Sequence, residues 1–162
     1  MNRVSTPNNR VTVLKYYNYD IVFQEIPDEV TLAVNITHCP HRCVGCHSPH
    51  LREDIGQELD TKTLDRLLTK YGRQITCVCF MGGDGDPQDV EKLARHLHQH
   101  TQLKVAWYSG NAALPANATL FDYVKIGGYR ADLGGLRTRT TNQRLYHNHN
   151  GKTVDITERF WR

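Results

Sequence analysis

Residues 37–51, THCPHRCVGCHSPHL, constrain this chain more than any other stretch. They carry three of the five cysteines, Cys39, Cys43 and Cys46, spaced C-x3-C-x2-C. Three thiolates this close in sequence can close on one metal centre. They leave it one ligand short of the four that a closed zinc or iron–sulfur site takes. An iron–sulfur cluster with one iron free of protein ligands can bind a substrate there. A disulfide plus a free thiol fits poorly with an odd cysteine count and with an N-terminal decapeptide, MNRVSTPNNR, that lacks an apolar export segment. A zinc site completed by His38, His41, His47 or His50 is the stronger rival. Zinc motifs usually come as two paired knuckles, and no second knuckle follows. On the local motif alone, zinc and iron–sulfur stand level. Cys77 and Cys79, spaced C-x-C, share one face of an expected strand and read as buried small hydrophobes.

The 162 residues suit one domain with a real core. A net charge of +3 is too weak and too dispersed to indicate nucleic-acid binding. No apolar run approaches the roughly 18 residues of a membrane span. The expectation is a cytoplasmic chain with no membrane partner and no direct nucleic-acid contact.

Residues 11–17 (VTVLKYY) and 21–25 (IVFQE) are rich in β-branched and aromatic residues and predict two short strands, with turn chemistry at Asn18, Tyr19 and Asp20 between them. Residues 30–36 (VTLAVNI) form a nearly continuous apolar run, the pattern of a strand buried on both faces. The cysteine loop follows its C-terminal end, where ligands bind in α/β folds. Residues 61–71 predict an amphipathic helix, with Leu64, Leu67 and Leu68 on one side, Asp60 or Thr61 as cap and Gly72 as stop. Strands are expected over 74–81, 103–108 and 120–126, with a second helix over 90–100. Strand and helix thus alternate as in βαβ units. From Gly127 the chain turns glycine-rich and polar, which predicts a long functional loop, with 143–146 ordered, a short strand over 154–156 and a docked Phe160-Trp161 tail. The length is too short for a closed eight-unit barrel, which takes about 250 residues, and allows an open, partial one.

Gly82-Gly83-Asp84 lies between an expected strand and a helix, where glycines let a backbone approach a ligand closely and adopt positive φ. Alone this is no more than a turn; one βα unit after the cysteine loop it gains weight. Ser109 ends the next strand, and Lys125 lies near the end of the one after.

The cysteine spacing directly after an apolar strand resembles the signature of the radical S-adenosylmethionine enzymes. The resemblance covers most of residues 30–146. It implies an α/β fold: an open partial (βα) barrel of the radical S-adenosylmethionine type with a mostly parallel sheet. It divides a single domain, 1–162, into flanking strands (1–28), a βα core (30–126) and a polar loop and tail (127–162). It implies a [4Fe-4S] cluster on Cys39, Cys43 and Cys46, whose fourth iron chelates S-adenosylmethionine through its amino and carboxylate groups. Gly45, Cys46 and His47 would lie beside that cofactor, with His47 where the family often has an aromatic residue near the adenine. Gly82, Gly83 and Asp84 match a Gly-Gly-Glu/Asp motif that receives the methionine ammonium. Ser109 is similar to a position contacting carboxylate or ribose, and Lys125 could offer a cation to the carboxylate. The late segment, ending in Thr141-Asn142-Gln143-Arg144, is similar to one in the small activases of anaerobic ribonucleoside-triphosphate reductases, as is the lack of a ferredoxin-like cysteine cluster between Cys46 and Asp84. That narrower resemblance implies a reductase partner that offers a glycyl-radical loop, and a flavodoxin- or ferredoxin-type electron donor. In such enzymes reductive cleavage of S-adenosylmethionine gives a 5′-deoxyadenosyl radical that abstracts hydrogen from a glycine of the partner, with no protein acid or base required.

Overall fold

The computed structural model describes residues 13–161. Its strands are β1 (Lys15–Val22), β2 (Thr31–Ile36), β3 (Gln57–Glu58), β4 (Cys77–Met81), β5 (Lys104–Tyr108), β6 (Tyr123–Ile126), β7 (Arg144–His149) and β8 (Lys152–Asp155). Two α-helices, α1 (Thr61–Tyr71) and α2 (Pro87–His100), accompany them. All strands join one sheet in the order β3-β1-β2-β4-β5-β6-β7-β8.

Apolar residues at nearly every position mark β2 and β4 as interior strands, and both are covered on two faces. Alternation then sorts the side chains. Leu32, Val34, Val78, Phe80, Val105, Trp107 and Val124 join the core under α1 and α2. Cys77, Cys79, Ala106, Tyr123 and Leu145 cluster with Ile26 on the other face, with Leu136, Ile156 and Phe160 packed at its margin. Phe80 and Trp107 are essentially inaccessible, each burial contributing about 1.5–3 kcal/mol. Asp60 caps α1, its Oδ1 accepting Thr63 N at 2.8 Å, and Leu64 and Leu67 turn inward. Pro87 opens α2, where it forfeits no helical hydrogen bond.

The sheet corrects the expected architecture. Three pairings, β2–β4, β4–β5 and β5–β6, are parallel. Four others, β1–β2, β1–β3, β6–β7 and β7–β8, are antiparallel. This is a mixed eight-stranded sheet with two helices, not a mostly parallel open partial (βα) barrel. The β5–β6 connection contains Gly110, Pro115 and Asn117 and forms only a 3-10 turn at Ala118–Leu120, so the strand–helix alternation stops there.

Two local expectations are also corrected. No turn forms at Asn18–Asp20; β1 runs through it as one strand against β2, with an irregularity between Tyr16 and Asn18. Residues 11 and 12 of the first expected strand lie outside the described residues. The late polar stretch is not one long loop. Its second half is the β7–β8 hairpin, turned by Asn150 (φ 50°) and Gly151 (φ 74°). The tail does dock: Trp161 Nε1 donates to Leu136 O at 2.9 Å. Among the described residues no helix is long and apolar enough to cross a membrane.

Candidate functional site

Because β2, β4, β5 and β6 run parallel, their C-terminal ends share one edge of the sheet. The segments that leave those ends carry all the residues singled out above. The cysteine loop leaves β2, Gly82-Gly83-Asp84 leaves β4, Ser109 follows β5, and Lys125 is the penultimate residue of β6.

Backbone hydrogen bonds fold the cysteine loop back on itself. Thr37 N donates to Lys15 O at 2.9 Å, His38 N to Glu53 O at 3.0 Å and Cys39 N to Leu51 O at 2.9 Å. Cys46 N reaches Cys43 O at 3.2 Å, and Arg52 Nη2 donates to the same carbonyl at 2.8 Å. Gly45 between them takes φ 76°, a conformation that suits glycine. All three thiols are free and partly exposed. Burial raises the Cys39 thiol pKa, and the negative charges of Asp84, Cys43 and Cys46 add to the rise.

A glycine at each neighbouring strand end lets this loop settle. A Cβ on Gly110 would stand 2.7 Å from His41 Cδ2, one on Gly128 would stand 3.2 Å from Cys43 Sγ, and one on Gly85 would stand 3.1 Å from His38 O. Gly82 and Gly83 hold φ 110° and 101°, and a Cβ on Gly83 would meet Val90 Cγ2 of α2 at 2.4 Å. Gly82 O accepts Trp107 Nε1 at 2.8 Å.

Asp84 is the hub. Its Oδ1 accepts Ser109 Oγ at 2.6 Å and Asn111 Nδ2 at 3.4 Å. Its Oδ2 accepts Gly110 N at 2.7 Å and His41 Nε2 at 2.8 Å. The Asp84 side chain is 3% exposed and that of His41 27%. Lys125 turns its ammonium onto the backbone, donating to Gly127 O at 2.8 Å and Ser109 O at 3.2 Å. Burial pushes its pKa down to about 8, against the opposing pull of Asp84 and Cys43. His47 meets Tyr129 edge-on, with ring centroids 4.9 Å apart.

The late segment is tied to the same edge. Asn142 Nδ2 donates to Gly128 O at 3.1 Å and Gln143 Nε2 to Gly127 O at 3.3 Å. Thr141 Oγ1 donates to Gly134 O at 3.0 Å, and Arg144 begins β7. His41, Gly110, Asn111 and Tyr129 were not foreseen in these positions. The available signal was a glycine at the second position past β5 (Gly110) and past β6 (Gly128), each opposite a loop that needs close approach.

The donor chemistry fits a thiolate-bound cluster. Cys39, Cys43 and Cys46 sit on one hydrogen-bonded loop, while Cys77 and Cys79 are fully buried in β4. Among the described residues no three Cys, His, Asp or Glu side chains already converge as a cage, so the loop rather than a preset polyhedron defines the site. His41 is engaged with Asp84. Three thiols on one loop are a donor set that can hold an iron–sulfur cluster. Residues 29–119, more than half of the chain, match the model of the 4Fe-4S single cluster domain, and the chain belongs to that family. No curated protein and no solved structure gave a match.

Proposed function

We propose that this chain is a radical S-adenosylmethionine activase. Its substrate would be the glycyl-radical loop of an anaerobic ribonucleoside-triphosphate reductase. The observation that carries the reading is the meeting of a three-thiol loop with a buried acidic hub and two positive-φ glycines at one sheet edge. Cys39, Cys43 and Cys46 would hold a [4Fe-4S] cluster. When bound and reduced, that cluster supplies the electron that cleaves S-adenosylmethionine to methionine and a 5′-deoxyadenosyl radical, which takes hydrogen from the partner glycine. A flavodoxin- or ferredoxin-type protein would supply the electron.

The chain's own residues bind and orient. Gly82 and Gly83 let the backbone approach the methionine end of the ligand, and Asp84 supplies the negative charge its ammonium needs. Ser109 gives its hydroxyl to Asp84, so its part in this reading is to hold that carboxylate. Lys125 braces the β5 and β6 ends through two carbonyls and adds positive charge beneath the ligand carboxylate. His47, edge-on to Tyr129, gives the adenine a flat surface, and Gly45 lets the loop turn between Cys43 and Cys46. Residues 141–143, anchored on Gly127 and Gly128, set the rim that faces the partner.

The test is anaerobic reconstitution with iron and sulfide, reduction, and electron paramagnetic resonance with and without S-adenosylmethionine. The expected result is a reduced-cluster signal that changes when the ligand is added. A cluster signal indifferent to the ligand would sink the S-adenosylmethionine reading, and stoichiometric zinc without a cluster would sink the iron–sulfur one.

A further inference from the structure

A carboxylate has about four acceptor positions, and Asp84 has four donors on it. Three of them, the Ser109 hydroxyl, Gly110 N and Asn111 Nδ2, come from one short segment after β5. That segment is locked to the sheet, because Ser109 N donates to Lys125 O at 2.8 Å and Gly127 N to Asn111 O at 2.7 Å. Withdrawing the Ser109 hydroxyl or Gly110 N would pull on the ends of β5 and β6, whereas Asn111 Nδ2, at 3.4 Å from an exposed residue, adds only a weak contact. The fourth donor, His41, belongs to a different element. It lies midway between Cys39 and Cys43, and of the Asp84–His41 pair it is the partner open to solvent, 27% against 3%. Its ring rests against Gly110, whose missing side chain leaves the space it fills.

An incoming ammonium that is to pair closely with Asp84 therefore has to displace a donor, and of the three held at 2.6–2.8 Å His41 is the one whose departure costs the fold least. We infer that His41 holds the place of the ligand's ammonium on Asp84 and yields it when the ligand binds, so that the cysteine loop and the ligand cleft change together. This rests on the reading of the site as one for S-adenosylmethionine. The exchange conserves the number of donors on Asp84 and moves one histidine side chain outward from the sheet edge. It makes His41 an internal competitor. The apparent affinity of the wild-type chain is lowered by the fraction of molecules in which His41 occupies Asp84. A permanent His41–Asp84 clasp, with the ammonium received elsewhere, has the opposite consequence, since removing His41 would then only loosen the site.

Equilibrium dialysis of S-adenosylmethionine against the anaerobically reconstituted protein separates the two, with iron content measured on each sample. The wild type is expected to bind. His41→Ala is expected to bind tighter, by about 3- to 10-fold, as the competitor is lost. Its thermal midpoint without ligand should fall, as one cross-loop hydrogen bond is gone. Asp84→Asn is expected to bind more weakly. Unchanged or weaker binding by His41→Ala at full iron content overturns the inference. Should His41→Ala fail to load iron, Gly110→Ala decides by the same criterion, because its Cβ drives the ring from Asp84 without touching the cysteine loop's sequence. A wild type that loads iron and binds no S-adenosylmethionine overturns the functional reading itself and the inference with it.

Discussion

Five cysteines in one chain sit in two unlike environments, and the environment of each sulfur decides what it can do. Cys39, Cys43 and Cys46 lie on a partly exposed loop, where a thiolate can form on metal binding. Cys77 and Cys79 are inaccessible, and burial pushes both thiols well above their ordinary value of 9.0. Replacing Cys39, Cys43 or Cys46 singly by Ala should strip the protein of iron and acid-labile sulfide after reconstitution. Cys77→Ala should retain both, at a stability cost of about 1 kcal/mol for the small void. Full iron loading in any of the first three would refute the ligand assignment. Gly110 governs how closely the loop approaches. Gly110→Ala places a methyl 2.7 Å from the His41 ring, and a shift of that kind should cost about 1–3 kcal/mol, read from urea unfolding. The cysteine spacing and the Gly-Gly-Asp run were legible because they are contiguous in sequence. The hydrogen bond from His41 to Asp84 spans forty-three positions, and nothing in either local pattern announces it.

At the scale of elements, legibility followed the strength of the local signal. Helix α1 was readable to the residue, because its Asp60 cap and its leucine stripe agree on where it starts and which way it faces. Strands β2, β4, β5 and β6 were readable from short, largely apolar stretches, with ends displaced by a few residues. The β1 region misled because Asn18 and Asp20 have turn chemistry, yet pairing along β2 keeps that stretch extended, with Asn35 Nδ2 donating to Asn18 Oδ1 at 2.7 Å. The late strands were legible only in part: the short strand expected over 154–156 is β8, displaced to Lys152–Asp155, while β7 runs on to His149, past the ordered stretch expected over 143–146. The alternation of β7 is masked by polar residues on a partly wet sheet edge, and the Asn150-Gly151 turn joins the two strands. That turn is open to test, since nothing lies within 4 Å of a Cβ on Gly151. Gly151→Ala should therefore cost only the left-handed backbone penalty, about 1 kcal/mol, with no packing term. A change in thermal midpoint much larger than this, or none, would show that the turn is not what holds β7 against β8.

Across the whole molecule, the four parallel strands are pinned at both ends by a buried carboxylate. Asp84 gathers the loops at the C-terminal edge. At the opposite edge Glu29 accepts from Thr76 Oγ1 at 2.6 Å, from Tyr123 OH at 3.0 Å and from the Lys104 ammonium. Between these clasps lies a face built on Cys77, Cys79 and Ala106, with Lys125 at its upper end, and its ionisable groups are held away from their ordinary states. The two thiols have raised folded pKa values, so their contribution to stability is complete below pH 9.0, the unfolded value, and is lost as pH rises beyond it. Each then lowers stability by about 1.4 kcal/mol per pH unit. Lys125 acts in the other direction. Its folded pKa, about 8, lies below the ordinary 10.5, so the unfolded chain holds that proton more tightly and stability rises by a similar slope between those values. From pH 9 to 10 the thiols outnumber the lysine, and the wild type should lose stability. In the Cys77→Ala/Cys79→Ala double variant Lys125 is opposed on this face only by the Tyr108 and Tyr123 hydroxyls, whose pKa values burial also raises, so the variant's stability should fall less steeply than the wild type's over the same interval. Urea midpoints for the two proteins across that range measure the difference in slope directly, and parallel profiles would mean that neither thiol is as firmly protonated in the fold as its burial dictates.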